Sequence, residues 1–157
     1  MAKSDAKSTG KTNKSGLEPL MNEQVANLNV LYVKLHSYHW YVKGNNFFRL
    51  HLKFEELYNE VSEQMDAIAE RMLTLKWNPA ATLKEYLELA TIQEASGKEE
   101  PQAMVQHLLE DLATLCESYR EGIEQAGKAG DDATADLLTG YVGSLEKHMW
   151  MLRAYLG

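Results

Sequence analysis

Five side chains in the first half of the sequence have the types and spacing to hold a metal ion: His39, His51, Glu55, Asp66 and Glu70. On an ideal helix turning about 100° per residue, the last four point at roughly 0°, 40°, 60° and 100°, so they share one face. His51 and Asp66 are nevertheless separated by roughly 22 Å of helix axis, and one ion cannot be reached by both pairs from the same chain. If this helix packs antiparallel against its own copy, about a two-fold axis near residues 60 and 61, the pairs meet. His51 and Glu55 of one chain then face Asp66 and Glu70 of its mate, and the isologous contact builds two identical sites. His39 joins them because it continues the inward stripe Leu28, Leu31, Leu35 of the preceding helix. Two imidazoles and three carboxylates form a mixed N/O donor set suited to iron or another hard-to-borderline divalent ion. The absence of thiolates argues against structural zinc or copper(I). Carboxylates also stabilise a ferric product. Against this, acids at i, i+4 on a long helix are often only a solvated face, and a histidine among aromatics is often only packed. The spacing alone leaves both readings open.

The elements that must position these residues follow from apolar periodicity. Met21, Val25, Leu28, Leu31, Leu35 and Tyr38 recur at spacings of three and four from Leu17 onward, and Gly44-Asn45-Asn46 stops the run. A second stripe, Leu50, Phe54, Leu57, Val61, Met65, Ile68 and Met72, predicts a helix from about Phe48 to Trp77, closed by Asn78-Pro79. A short helix over Leu83–Leu89 precedes the polar stretch 94–100. Pro101 opens a third long helix to about Ala126, and Asp131-Asp132 can cap a fourth running to Leu156. No strand pattern survives. The expected fold is all-α: a four-helix bundle with one crossover that carries a short helix, and with no fifth helix at the C-terminus.

Composition agrees. At 157 residues and 45% apolar content the chain can build one packed core, and only 3 Pro and 10 Gly argue against a turn-rich β protein. Cys116 stands alone, so neither an internal disulfide nor a cysteine zinc site is available. No apolar stretch is long enough to span a membrane. The first nineteen residues lack a signal-peptide core, which predicts a cytoplasmic protein, nucleoid-associated if it binds DNA. The domain is expected over 17–157, behind a disordered Lys-rich arm, 1–16. The arm holds Lys3, Lys7, Lys11 and Lys14 against one acid, Asp5. Removing these from totals of 16 basic and 23 acidic residues leaves 12 and 22, so the body alone carries −10. Such a body repels nucleic acid and attracts cations, while the arm can do the reverse.

The runs His39-Trp40-Tyr41-Val42-Lys43-Gly44, Leu50-His51, Phe54-Glu55-Glu56-Leu57-Tyr58 and Asp66-Ala67-Ile68-Ala69-Glu70-Arg71 resemble the Dps family of mini-ferritins. So do Thr82-Leu83-Lys84-Glu85-Tyr86, Gly130-Asp131-Asp132, Thr134-Ala135-Asp136-Leu137-Leu138, Glu146-Lys147 and Trp150-Met151-Leu152. The resemblance covers about 20–157. It implies a ferritin-like bundle in a hollow homododecamer that oxidises Fe(II), preferably with hydrogen peroxide, and stores ferric mineral, protecting DNA. It also implies an inter-subunit site for two irons, with His39, His51 and Glu55 from one chain and Asp66 and Glu70 from the other, the partition the helical wheel gives. Zinc is the substitute ion considered for the same donors. Many members carry Asp where this chain has Glu55, whose longer arm keeps the charge but can reposition the second iron.

Other residues carry two readings each. Trp40 is either an oxidisable neighbour of the site, as the resemblance implies, or an interface aromatic. Asp131, Asp132 and Asp136 line an acidic iron-entry pore at a three-fold axis, as the resemblance implies, or Asp131 and Asp132 simply cap a helix N-terminus; Asp136, one turn further in, is the best pore candidate. Glu56 either helps nucleate mineral or is a solvated glutamate. The arm lysines either bind DNA by avidity across many copies, giving a DNA-compacting shell as the competing function, or merely solubilise it. Cys116 and the methionines read as core filler, and His36, His107 and His148 as ordinary packing or surface histidines.

Overall fold

The computed structural model describes residues 16–157; the arm lysines lie outside the described residues. Five helices follow in order: α1 (Leu17–Tyr41), α2 (Phe47–Thr74), α3 (Leu83–Leu89), α4 (Pro101–Lys128) and α5 (Asp132–Leu156). The four long ones form the bundle expected from periodicity, and α3 sits in the long connection between α2 and α4. Short links join α1 to α2 and α4 to α5, so each of those pairs packs antiparallel, and α1 also meets α3 and α4. The apolar stripes face inward as read: Leu28, Leu31, Leu35, Tyr38, Phe54, Leu57, Ile68 and Met72 are all fully buried, and only Met65 is half-buried. Cys116 is buried among them, and that burial pushes its thiol up to about 11, with Glu146 adding to it.

Helix ends are set by backbone geometry. α2 stops at Thr74, three residues short of the expected Trp77. Lys76 adopts a left-handed φ of 65°, and the Trp77 N–H donates to the Met72 carbonyl at 2.9 Å. That six-to-one bond closes the helix before Asn78-Pro79 is reached. Gly130, at φ 71°, closes α4 in the same way, with the Asp131 N–H donating to the Ala126 carbonyl at 2.9 Å. Helix α4 thus runs through Gly127 to Lys128, two residues past the expected end.

Polar residues on α1 tie down the crossover. The buried Asn27 accepts at Oδ1 from the N–H groups of Thr91, at 2.7 Å, and Ile92, at 2.9 Å, and donates from Nδ2 to the Thr91 hydroxyl at 3.0 Å. Asn22 accepts from the Ala80 N–H at 2.7 Å. Both asparagines satisfy backbone groups that a non-helical segment would otherwise leave unpaired against the bundle.

Candidate metal centre

His39 lies on the last turn of α1 and His51 near the start of α2, and the five-residue link between them turns through Gly44 at a φ of 99°. The rings stack at 3.7 Å with 13° between planes. Each Nδ1 lies 2.7 Å from the other residue's backbone carbonyl. A carbonyl can only accept, so each Nδ1 carries a proton, and in the neutral ring Nε2 is then the nitrogen with the free lone pair. This is the second-sphere arrangement that fixes the tautomer of a metal-ligating histidine. It arises locally: the His39 carbonyl is one of the last four of α1, which have no intrahelical donor, and the His51 ring supplies one. The pair is packed on both sides. Phe47 stacks on His51 at 5.0 Å, and Tyr58 meets His39 edge-on at 5.2 Å.

Glu55 lies one helical turn beyond His51 and is half-buried. Burial, and then the negative charge of Glu55, raise the Tyr58 phenol above its ordinary range. Tyr58 in turn stacks on His36 at 3.9 Å, and His36 lies 5.3 Å from the largely exposed Trp40. Asp66 and Glu70 are exposed on the far half of α2. Among the described residues of this one chain, no three His, Cys, Asp or Glu side chains come together closely enough for a metal ion. The structure brings His39 and His51 into contact, places Glu55 one turn beyond His51 on the same half of α2, and leaves Asp66 and Glu70 on the other half.

Of the two readings offered for Asp131, capping describes its contacts. Its carboxylate accepts the Thr134 N–H at 3.0 Å, the Thr134 hydroxyl at 2.5 Å and the Arg71 guanidinium at 2.8 Å. Against the opposing effect of burial, Thr134 and then Arg71 hold its carboxyl below the usual range. Asp132 and Asp136 are exposed. Glu56 is half-exposed and paired to Lys53 at 3.0 Å.

Sequence reasoning missed a part-buried cluster between α2 and α5. His148, assigned no partner, donates from Nε2 to Glu60 at 2.5 Å and accepts at Nδ1 from Lys53 at 2.9 Å. Glu60 also accepts from Ser144 at 2.5 Å and Gln64 at 3.0 Å. The His148 hydrogen bond above all, then those of Ser144 and Gln64, keeps its carboxyl below the ordinary range although burial opposes this. The adjoining concavity, about 710 Å³, is walled by Glu56, Glu60 and Glu63 on α2 and by Gly140 and Ser144 on α5. The only advance signal was an amphipathic α5 that places a histidine on its inward stripe.

Residues 19–157 match the ferritin family, described as a ferritin-like domain. General stress protein 20U of Bacillus subtilis is 51% identical over 137 residues, covering 87% of this chain and 94% of the relative. DNA protection during starvation protein 2 of Bacillus anthracis is 49% identical over 144 residues, covering 92% and 98%. The chain belongs to the Dps family of ferritin-like proteins. Solved Dps structures agree in fold. Dps from Staphylococcus aureus superposes with a TM-score of 0.88 at 46% identity over 90% of this chain and 95% of that one. Dps from Listeria innocua soaked with zinc gives 0.87 at 45% over 90% and 96%. No described helix of this Dps-family chain is long and apolar enough to cross a membrane.

Proposed function

We propose that this chain is a ferroxidase and iron-storage protein. It oxidises Fe(II), with hydrogen peroxide as the preferred acceptor, and keeps the Fe(III) as mineral inside a dodecameric shell. The observation that carries the reading is the reciprocal lock of His39 and His51, which leaves the Nε2 atoms of both neutral rings free to ligate at the end of α2 that also carries Glu55. Asp66 and Glu70 of a two-fold-related copy complete the donor set. Exposed Trp40, Tyr41, Phe48 and Leu52 around the α1–α2 turn support an apolar contact between copies there.

Fe(II) is the substrate. Two Fe(II), one hydrogen peroxide and two protons give two Fe(III) and two waters, so both electrons reach the peroxide without releasing a hydroxyl radical. The carboxylates hold the two irons close enough to react as a pair and offset the charge gained on oxidation. Trp40 is the neighbouring side chain that absorbs a stray one-electron hole. Asp132 and Asp136 attract Fe(II) at an entry pore. Glu56, joined by Glu60 and Glu63 on the acidic wall, receives Fe(III) for mineral growth. Zinc competes for the same nitrogen and oxygen donors. Consuming iron and peroxide together removes the reagents that damage DNA.

The test is anaerobic loading with Fe(II), addition of one peroxide per two irons, optical detection of oxidation, and gel filtration of the product. Fast oxidation with ferric iron co-eluting with the shell is expected. Oxidation at the protein-free rate, with iron lost from the protein peak, would reject the reading.

A second reading, a DNA-compacting shell, draws on the lysines of 1–16 and on relatives named for DNA protection. The −10 body opposes it. It predicts DNA retardation that vanishes at moderate salt and on deleting 1–16; unchanged retardation by the truncated protein would reject a role for the arm.

A further inference from the structure

Where the first helix begins, three helices enclose a groove of about 420 Å³ lined by Gly16, Pro19, Leu20, Glu23, Glu88, Leu89, Glu121 and Gln125. Its carboxylates come from α1, α3 and α4. Glu23 is half-buried, and burial, followed by the charge of Glu121, raises its carboxyl above the ordinary range. Among the described residues neither Glu23 nor Glu121 forms a salt bridge. Among the same residues Glu121 accepts only from the Gln125 amide at 2.9 Å, and Glu88 has one loose contact with Lys84 at 3.9 Å. The groove therefore presents concentrated negative charge beside the aliphatic surfaces of Pro19, Leu20 and Leu89. A lysine fits both parts: its methylene stem covers apolar surface while its ammonium meets carboxylate.

The chain outside the described residues ends at this same place. Gly16 is on the groove's rim, with a φ of 152° that side-chain-bearing residues rarely adopt, and the fifteen residues before it include Lys3, Lys7, Lys11 and Lys14. At roughly 3.4 Å per residue, Lys14 begins within about 7 Å of Gly16 and Lys11 within about 17 Å, before either side chain is extended. The tether is long enough for either to be seated in the groove. A short tether also gives these lysines an effective concentration on the order of millimolar at the groove.

We propose that the groove of Glu23, Glu88 and Glu121 is a docking site for the chain's own Lys-rich arm, with Lys11 or Lys14 seated between the carboxylates. Docking withdraws the arm's charge from phosphate ligands at low salt, and screening at high salt releases it. The inference is independent of the iron chemistry, since none of these residues belongs to the His39–His51 site.

The test is limited trypsin cleavage of the arm on the assembled full-length protein, normalised to a free peptide of the same sequence. Wild type is compared with Glu23→Gln/Glu121→Gln at about 20 mM and about 0.5 M NaCl, where screening shrinks from tens of ångströms to a few. Expected is cleavage about tenfold slower in wild type than in the double variant at low salt, the difference closing at high salt. Equal cleavage of the two proteins at low salt would overturn the proposal. So would a slow wild-type rate unaffected by salt, which would mean the arm is held by apolar contact elsewhere. Circular dichroism and gel filtration confirm that the variant folds and assembles, and Lys11→Glu/Lys14→Glu, leaving the groove intact, must lose the protection equally.

Discussion

A mixed-shell experiment addresses the division of the proposed site between two chains most directly. Consider His51→Ala in one preparation and Asp66→Asn in another. The lock makes the first variant structurally mild. The acceptor for His39 is the His51 backbone carbonyl, at 2.7 Å, so His39 keeps its hydrogen bond and tautomer when the His51 ring is removed. What is lost is the bond from His51 Nδ1 to the His39 carbonyl, at 2.7 Å, and the ring stacks with His39 at 3.7 Å and with Phe47 at 5.0 Å. A neutral hydrogen bond is worth about 1 kcal/mol and a stacked pair about 0.5–1.5 kcal/mol. The total for one hydrogen bond and two stacks, roughly 2–4 kcal/mol, lowers a melting midpoint by about 4–16 °C in a domain of this size without unfolding it. Asp66 is exposed in the isolated chain, so Asp66→Asn costs little stability. Each parental shell should still assemble and oxidise Fe(II) at least about tenfold more slowly than wild type, as losing a first-rank ligand must cost no less than losing its outer support.

The shells are then dissociated, mixed in equal amounts and reassembled. Half of the two-fold pairs become heterodimers, and in each heterodimer one site collects both lesions while the other collects none. About one quarter of all sites are therefore intact, and the rapid peroxide-driven phase should return with about one quarter of the wild-type amplitude. Stopped-flow absorbance measures the amplitude, and native mass spectrometry establishes that mixing took place. A mixture that stays at the parental rate would mean that both pairs of ligands are used within a single chain, and would refute the shared site.

Two further outcomes follow from geometry. A Cβ added at Gly122 would stand 2.6 Å from Leu138 Cδ1 and 3.3 Å from Gln24 Nε2; Gly122→Ala should destabilise by about 1–3 kcal/mol in denaturant titration, and unchanged stability would show that α5 gives way freely. Asp131 has a folded pKa below its unfolded value, so its contribution is present above the unfolded pKa and lost as pH falls through the folded one. Asp131→Ala should cost about 1–2 kcal/mol at neutral pH, with the gap to wild type closing only well below about pH 4; a gap independent of pH would remove the carboxylate from the argument.

The elements were legible because each is dictated locally. Spacings of three and four reported which residues of α1 and α2 are buried, and Pro101 and Asp131 marked helix starts through the backbone rules they obey. The Trp77 boundary failed because its determinant is a lysine in a left-handed conformation, for which composition gives no warning. Asn27, which no periodicity singles out, is fully buried because the crossover offers it two N–H groups. His148 was passed over for the same reason: its partners Lys53 and Glu60 are on another helix, and nothing in the spacing of α5 names them.

The proposed metal site divides along the same line. Which residues share the face of α2 is a matter of helical angle, and the sequence supplied it. How His39 and His51 are tuned depends on a contact between the end of one helix and the start of the next, where the orphan carbonyls of α1 meet a donor. The link is short enough that this contact could hardly be avoided once both helices form, so the tautomer lock is a consequence of chain connectivity. The carboxylates have no such connection to it. Asp66 lies roughly 22 Å away on a rigid rod, and neither bending α2 nor moving a loop could bring it to His51. The proposed five-residue donor set would close only by borrowing the other end of an identical helix. An iron site of this kind forms only with assembly, which would keep free subunits from activating peroxide outside a shell that can retain the product.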